Sequence, residues 1–300
     1  GGVTRNAVIG KAHRLNLSGK IQTKKSSSLA TNNNVSENKL LPNKMKLDIH
    51  FEDDDILIIN KPKGVVVHPG AGNHENTLAN ALAFKYKNNL SDINGNLRPG
   101  IVHRIDKDTS GLLLVAKDQI SAKKFANYFK ERKILKVYLA LVSPIPKIES
   151  GTINSSLIKS GIEGNQKMII DNDNGKVAIT KYKVLNDIGS RVGLIALYPK
   201  TGRTHQLRVH LESINAPIMG DRKYKGLSDV YSSALNLPGH KNVSNIKWKP
   251  DNIKNLQLHA YCITLPSGET IEAPITDEFK RNLDFLGLDL PSNINHIFHI

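Results

Sequence analysis

Two short stretches concentrate the residue types that acid–base, nucleophilic or phosphate-binding chemistry needs. The first is His103-Arg104-Ile105-Asp106-Lys107-Asp108-Thr109-Ser110-Gly111, which runs directly into the apolar segment 112–116. Polar loops carried by a buried strand are frequent seats of catalytic groups. Asp106 stands between Arg104 and Lys107, cations that favour an ionised carboxylate able to act as nucleophile or base. The same residues also suit a turn in which Asp108, Thr109 and Ser110 bond the backbone and Gly111 takes an unusual dihedral. Residue chemistry alone leaves both readings open.

The second stretch, Lys200-Thr201-Gly202-Arg203-Thr204-His205-Gln206-Leu207-Arg208-Val209-His210-Leu211, reads as a strand end, a glycine turn and a helix opening near Thr204. Leu207, Leu211 and Ile214 would then face the core, and Arg208 would grip a carboxylate or phosphate through its planar fork. His205 and His210 are five apart rather than four, so they do not share a helix face, which argues against a metal pair. Tyr138, within a strand-like run, suits either stacking on a nucleobase or half-buried packing. The loop His68-Pro69-Gly70-Ala71-Gly72-Asn73 is not followed by the Lys-Ser/Thr pair of a nucleotide triphosphatase, which disfavours ATP.

The elements that must position these residues are mostly short strands. Strand-like runs occur at 47–52, 56–60, 65–68, 112–116, 133–142, 167–171, 177–185 and 192–198, with Asp173-Asn174-Gly175 as a hairpin turn. A further hairpin pairs 256–265 with 270–273 across Pro266-Ser267-Gly268. Helical spacing appears at 77–87, with Asn76 as cap, and at 119–130, with Asp118 as cap and Phe125 and Phe129 as the packing face. Many hairpin-joined strands and few helices predict an α+β domain with a largely antiparallel sheet.

Residues 23–45 are rich in Ser, Asn, Lys and Thr with few large apolar groups, and read as a flexible linker. A basic segment, 1–22, precedes it, and the compact domain is expected over 46–300. Residues 1–45 hold eight Lys/Arg against one acid, out of a net charge of +15 for the 300-residue chain. So cationic a chain is expected to meet a polyanion, nucleic acid first, although a solvated surface would carry the same excess. A lone Cys262 excludes an internal disulfide, and no apolar run approaches the length that spans a bilayer. With no apolar leader at the start, export is not expected, and the location expected is a bacterial cytoplasm, with an organelle matrix as the alternative; a monomer is expected separately.

At these residues the chain resembles the RluA family of pseudouridine synthases. The likeness rests on 103–111 and on Gly202-Arg203-Thr204-His205-Gln206-Leu207-Arg208-Val209-His210. Lys61-Pro62-Lys63-Gly64, Tyr138-Leu139-Ala140-Leu141-Val142, Pro217-Ile218-Met219-Gly220-Asp221 and Leu258-His259-Ala260 support it. Residues 66–73 and 98–104 look most like the D-type enzymes of the large ribosomal subunit. The resemblance implies a mixed, mainly antiparallel sheet with flanking helices and an RNA-binding cleft. It implies uridine isomerisation in large-subunit ribosomal RNA, Asp106 as the catalytic carboxylate, and no metal or organic cofactor. It implies that Arg104 displaces the target base, Tyr138 stacks on the uracil and Arg208 pairs with Asp106. His103, Lys107, Arg203 and His205 follow as RNA-binding candidates. Residues 1–22 look like a degraded or truncated S4 RNA-binding module. Ile105 stands where the family has Leu, and Tyr224-Lys225-Gly226 has one residue more than the family's Tyr-Gly pair.

Overall fold

A computed structural model describes residues 40–70, 72–87, 89–162, 166–189, 191–224, 253–294 and 297–298. The S4-like segment, most of the linker and residues 225–226 lie outside these. Its strands are β1 (Ile49–Glu52), β2 (Ile56–Lys61), β3 (Ser110–Ala116), β4 (Leu135–Val142), β5 (Ser150–Ser160), β6 (Lys167–Ile170), β7 (Lys176–Ile188), β8 (Val192–Pro199), β9 (Leu258–Thr264) and β10 (Thr270–Glu272). Its helices are α1 (Leu78–Tyr86), α2 (Gln119–Lys130), α3 (Gln206–Ser213) and α4 (Asp277–Leu286).

The strands form one sheet in the order β1-β2-β3-β9-β4-β8-β7-β5-β6, with β10 paired to β9. Pairing is antiparallel except between β3 and β9, so the sheet is mixed and mainly antiparallel, as expected. Gly111 makes the parallel contact possible. Its φ is +104°, and a Cβ there would lie 2.2 Å from the Ala260 carbonyl oxygen, an approach that only glycine tolerates.

Alternation along the central strands splits the core between two faces. Leu57 and Ile59 of β2, Leu113 and Val115 of β3 and Tyr138 and Ala140 of β4 face one side, with Leu78 and Leu82 of α1 and Leu207 and Leu211 of α3. On the other side, Ile58 and Leu114 meet Phe125 of α2, while Leu139 and Leu141 meet Phe279 and Leu283 of α4. Tyr138 and the start of α3, with His205 and Arg208, sit on the α1/α3 side.

Several local expectations are corrected. Residues 65–68 form no strand, because the Val66 and Val67 carbonyls accept the first N–H groups of α1, Leu78 and Ala79, both at 2.9 Å. Thr77, not Asn76, caps α1, its hydroxyl accepting from Asn80 N–H. Asn76 precedes it at φ 57°. Asp173-Asn174-Gly175 joins β6 to β7, but each of these strands pairs with β5 rather than with the other. The packed body also takes up the chain ahead of Lys46. Leu40 is buried in the core, and Asn80 Nδ2 donates to the Leu41 carbonyl at 2.7 Å. Leu40 and Met45 are apolar anchors inside an otherwise polar stretch.

Candidate active site

Asp106 sits in the loop between Ile101 and β3, which is fastened from beneath. The fully buried Lys61 donates from Nζ to the carbonyls of Pro62, Val65 and Lys107 at 2.8, 2.9 and 3.0 Å, so all three of its hydrogens are spent. Gly64 N–H adds a second bond to Lys107 O at 2.9 Å. On the far side Asp106 O accepts from Thr109 N–H at 3.2 Å. The turn reading and the site reading therefore coexist: the loop is a turn, and the turn presents the carboxylate.

The facing wall is the Gly202 turn and α3. Gln206, buried, accepts from Thr201 Oγ1 at 2.7 Å and from Arg203 N–H at 3.0 Å, while its amide donates to Ile179 O and Thr180 Oγ1, both at 3.0 Å. That network stitches the turn to β7. The helix starts at Gln206, two residues later than Thr204, with His205 in the left-handed region at φ 52° as its N-cap.

Arg208 reaches Asp106, but its main partner is Asp221. Nε and Nη2 donate to the two Asp221 oxygens at 2.6 and 2.8 Å, which leaves Nη1 at 3.6 Å from Asp106 Oδ2. Burial works against the guanidinium's charge. Hydrogen bonding to Asp221, with the charges of Asp221 and Asp106, outweighs that and raises its pKa. Asp221 is fully buried and also accepts from Lys223 and Tyr224 N–H groups at 2.9 and 3.1 Å. It acts as a clamp that fixes Arg208 with one nitrogen pointing at the loop carboxylate.

His205 lies on the same side, Nε2 at 4.0 Å from Asp106 Oδ2. Tyr224 Oη accepts from Met168 N–H at 2.9 Å and is hydrogen-bonded to His205 Nδ1, also at 2.9 Å. Burial lowers the His205 pKa, with Asp106 opposing, so the ring is neutral at pH 7.

Tyr138, on β4, is buried beside Asp106, and burial together with the Asp106 charge holds its phenol well above the usual range. Between the two walls opens a cavity of about 90 Å³, lined by Asp106, Tyr138, Arg104, His205, Arg208 and Leu258 among others. Asp106 is the one carboxylate among its lining residues. Arg104 is exposed at the rim, its Nη1 3.2 Å from His68 Nε2, and His68 Nδ1 lies 2.9 Å from the Pro69 carbonyl.

The structure thus gathers Asp106, Arg104, Tyr138, Arg203, His205 and Arg208 around one cavity, while Lys107 is exposed on the same loop. His103 stands apart from it. Its Nε2 accepts from Leu114 N–H at 2.8 Å and its ring packs 4.4 Å from Phe129, so it braces the loop against β3 and α2. Asp221, Lys61, His68, Gln206 and Tyr224 are contributors that received no role from sequence. Asp221 and Lys61 lie in quoted motifs, yet nothing in spacing pairs them with Arg208 or with the Asp106 loop.

The sequence signature described as RNA pseudouridylate synthase matches residues 55–213, which contain the Asp106 loop, Tyr138 and α3. The chain belongs to that family. It is 43% identical over 183 residues to a ribosomal large subunit pseudouridine synthase D of Zymomonas mobilis, covering 61% of this chain and 57% of that protein. It is 35% identical over 251 residues to an uncharacterized RNA pseudouridine synthase of Synechocystis, covering 82% of this chain and 70% of that one. The chain spans little more than half the length of the first of these relatives. Among solved structures, human RNA pseudouridylate synthase domain containing 4 superposes with a TM-score of 0.62 at 26% identity, covering 82% of this chain and 95% of that one. A second signature, the GcrA cell cycle regulator, matches residues 1–81, whose described part includes strands β1 and β2 of this sheet and the first turn of α1.

Proposed function

We propose that this chain isomerises uridine to pseudouridine in RNA, with large-subunit ribosomal RNA as substrate and Asp106 as the catalytic group. The observation that carries this reading is a single carboxylate in a small cavity, faced by a clamped arginine and floored by a buried tyrosine. Isomerisation breaks the N1–C1′ bond, rotates the uracil and joins C5 to C1′, with a proton leaving C5 and one returning to N1. Nothing is hydrolysed, so one carboxylate suffices where glycoside hydrolysis uses two. In this reading the target leaves its stack at a cost of a few kcal/mol, offset by stacking on Tyr138 and by cationic contacts. Arg104, exposed and steadied by His68, fills the vacated position. The relatives named as large-subunit enzymes support the substrate; the proposal places the chain in a bacterial cytoplasm and takes it as a monomer.

The test is release of tritium from RNA carrying 5-³H-uridine, with free uracil measured in parallel. Tritium release by wild type, none by Asp106→Asn, and no free uracil support the reading. Free uracil would indicate a hydrolase instead, and tritium release by Asp106→Asn would remove Asp106 from the chemistry.

A further inference from the structure

Beside the Asp106 pocket lies a second cavity, of about 250 Å³, that shares Arg104, Lys136, Pro199, Thr201 and Gly202 with it and extends to Phe129 of α2. No carboxylate lines it, whereas Arg104, Arg132, Lys136 and Lys200 all do. Lys136 is part-buried and forms no ion pair among the described residues; its ammonium lies 5.3 Å from the centre of the Phe129 ring. The acid nearest Arg132 in sequence, Glu131, is engaged by Lys133 at 2.8 Å. Burial pushes the Lys136 ammonium down to about 8, so it is still mostly charged at pH 7.

His103 lines the same cavity. Because its Nε2 accepts from Leu114 N–H, the ring hydrogen is on Nδ1, and that atom is buried without a hydrogen-bond partner among the described residues. An orphaned donor costs free energy in the folded chain. Four cations with no carboxylate among the lining residues, in a cavity larger than the Asp106 pocket, describe a seat for an anion.

We propose that this cavity binds a phosphodiester of the RNA strand next to the nucleotide held at Asp106, with Arg132 and Lys200 as its charged jaws and His103 Nδ1–H as its inner donor. The proposal rests on the reading of the Asp106 pocket as a nucleotide site, since a strand that places a base there carries a phosphodiester on either side. It gives His103 a contact with RNA away from the reacting base. Arg132 and Lys200 line this cavity and not the Asp106 pocket, so they separate the two.

Two measurements test it on the full chain. Inorganic phosphate, titrated while imidazole nitrogens are followed by NMR, is expected to shift the His103 Nδ1–H resonance saturably in wild type and in Asp106→Asn. The shift is expected to vanish in the Arg132→Gln/Lys200→Gln variant. In RNA with single methylphosphonate linkages around the target, one linkage is expected to weaken wild-type binding about tenfold and leave the double variant unaffected. A His103 resonance that ignores phosphate, or linkage effects equal in both proteins, overturns the subsite. If phosphate binds as expected but no RNA is modified, the subsite stands and the uridine-isomerase reading falls; pseudouridine formation without either effect gives the reverse.

Discussion

Asp221→Asn probes the clamp on Arg208 with the least change of shape. Asp221 Oδ1 accepts from Arg208 Nη2 at 2.8 Å, Lys223 N–H at 2.9 Å and Tyr224 N–H at 3.1 Å, and Oδ2 accepts from Arg208 Nε at 2.6 Å. An asparagine that keeps its oxygen at Oδ1 preserves the first three and sets its amide NH2 against Arg208 Nε–H, donor to donor. One charge-assisted bond, of about 1.5–3 kcal/mol, is lost, and the guanidinium keeps only Asp106, at 3.6 Å, as a charged partner. A stability loss of roughly 2–4 kcal/mol follows, or a Tm lower by about 5–15 °C at 2–4 °C per kcal/mol. Asp221→Ala, which leaves the buried guanidinium without its clamp, should cost about 3–5 kcal/mol. With the clamp open, Arg208 closes on Asp106, and the rate of tritium release should fall at least about tenfold, a loss of ~1.4 kcal/mol in the barrier, with a smaller change in KM. Thermal unfolding by circular dichroism and the tritium assay read the two effects. An Asp221→Asn variant that melts within about 2 °C of wild type and turns over at the wild-type rate would refute the clamp.

Two further perturbations follow from buried groups near the site. Burial pushes His210 and His259 from 6.5 down to about 4, so both contribute stability that is complete above pH 6.5 and lost as pH falls towards 4, up to ~3 kcal/mol each. The urea midpoint should fall between pH 7.5 and 4.5, and His210→Gln should flatten that dependence; an equal slope in both proteins would contradict it. Gly220, at φ 73°, turns the chain just before Asp221, and a Cβ there would lie 2.0 Å from the Asn255 carbonyl oxygen. Gly220→Ala should therefore cost more than about 2 kcal/mol in chemical denaturation and reproduce the Asp221→Asn loss of turnover. A stable and active Gly220→Ala protein would count against the turn as the support for Asp221.

Much of the architecture was legible because local and tertiary signals agree. In α2, Asp118 caps Ile120 and Ser121 N–H groups at 2.7 and 2.8 Å, and Phe125 enters the core, as its spacing implies. The runs at β2, β3, β4 and β8 are buried on both faces and read as unbroken apolar strands. The strand β5 gave no such signal, because only Ile153 and Leu157 of its eleven residues are buried. Helix α4 carried readable signs that went unused: Thr276 caps Phe279 N–H, Asp277 and Glu278 open the first turn, and Gly287 ends it at φ 66°. In the site, Asp106, Arg208 and Tyr138 came from motifs. Asp221 did not, because a partner thirteen residues beyond Arg208, across a loop, is set by the packed fold and not by any sequence period.

The central claim is tested most directly by pseudouridine mapping, through carbodiimide labelling and primer extension, on large-subunit ribosomal RNA treated with wild type or Asp106→Ala. New stops with wild type and none with Asp106→Ala are the predicted result, and their positions identify the substrate uridines. Identical stops with both proteins would contradict Asp106 as the catalytic group, and no stops with either would contradict large-subunit ribosomal RNA as the substrate.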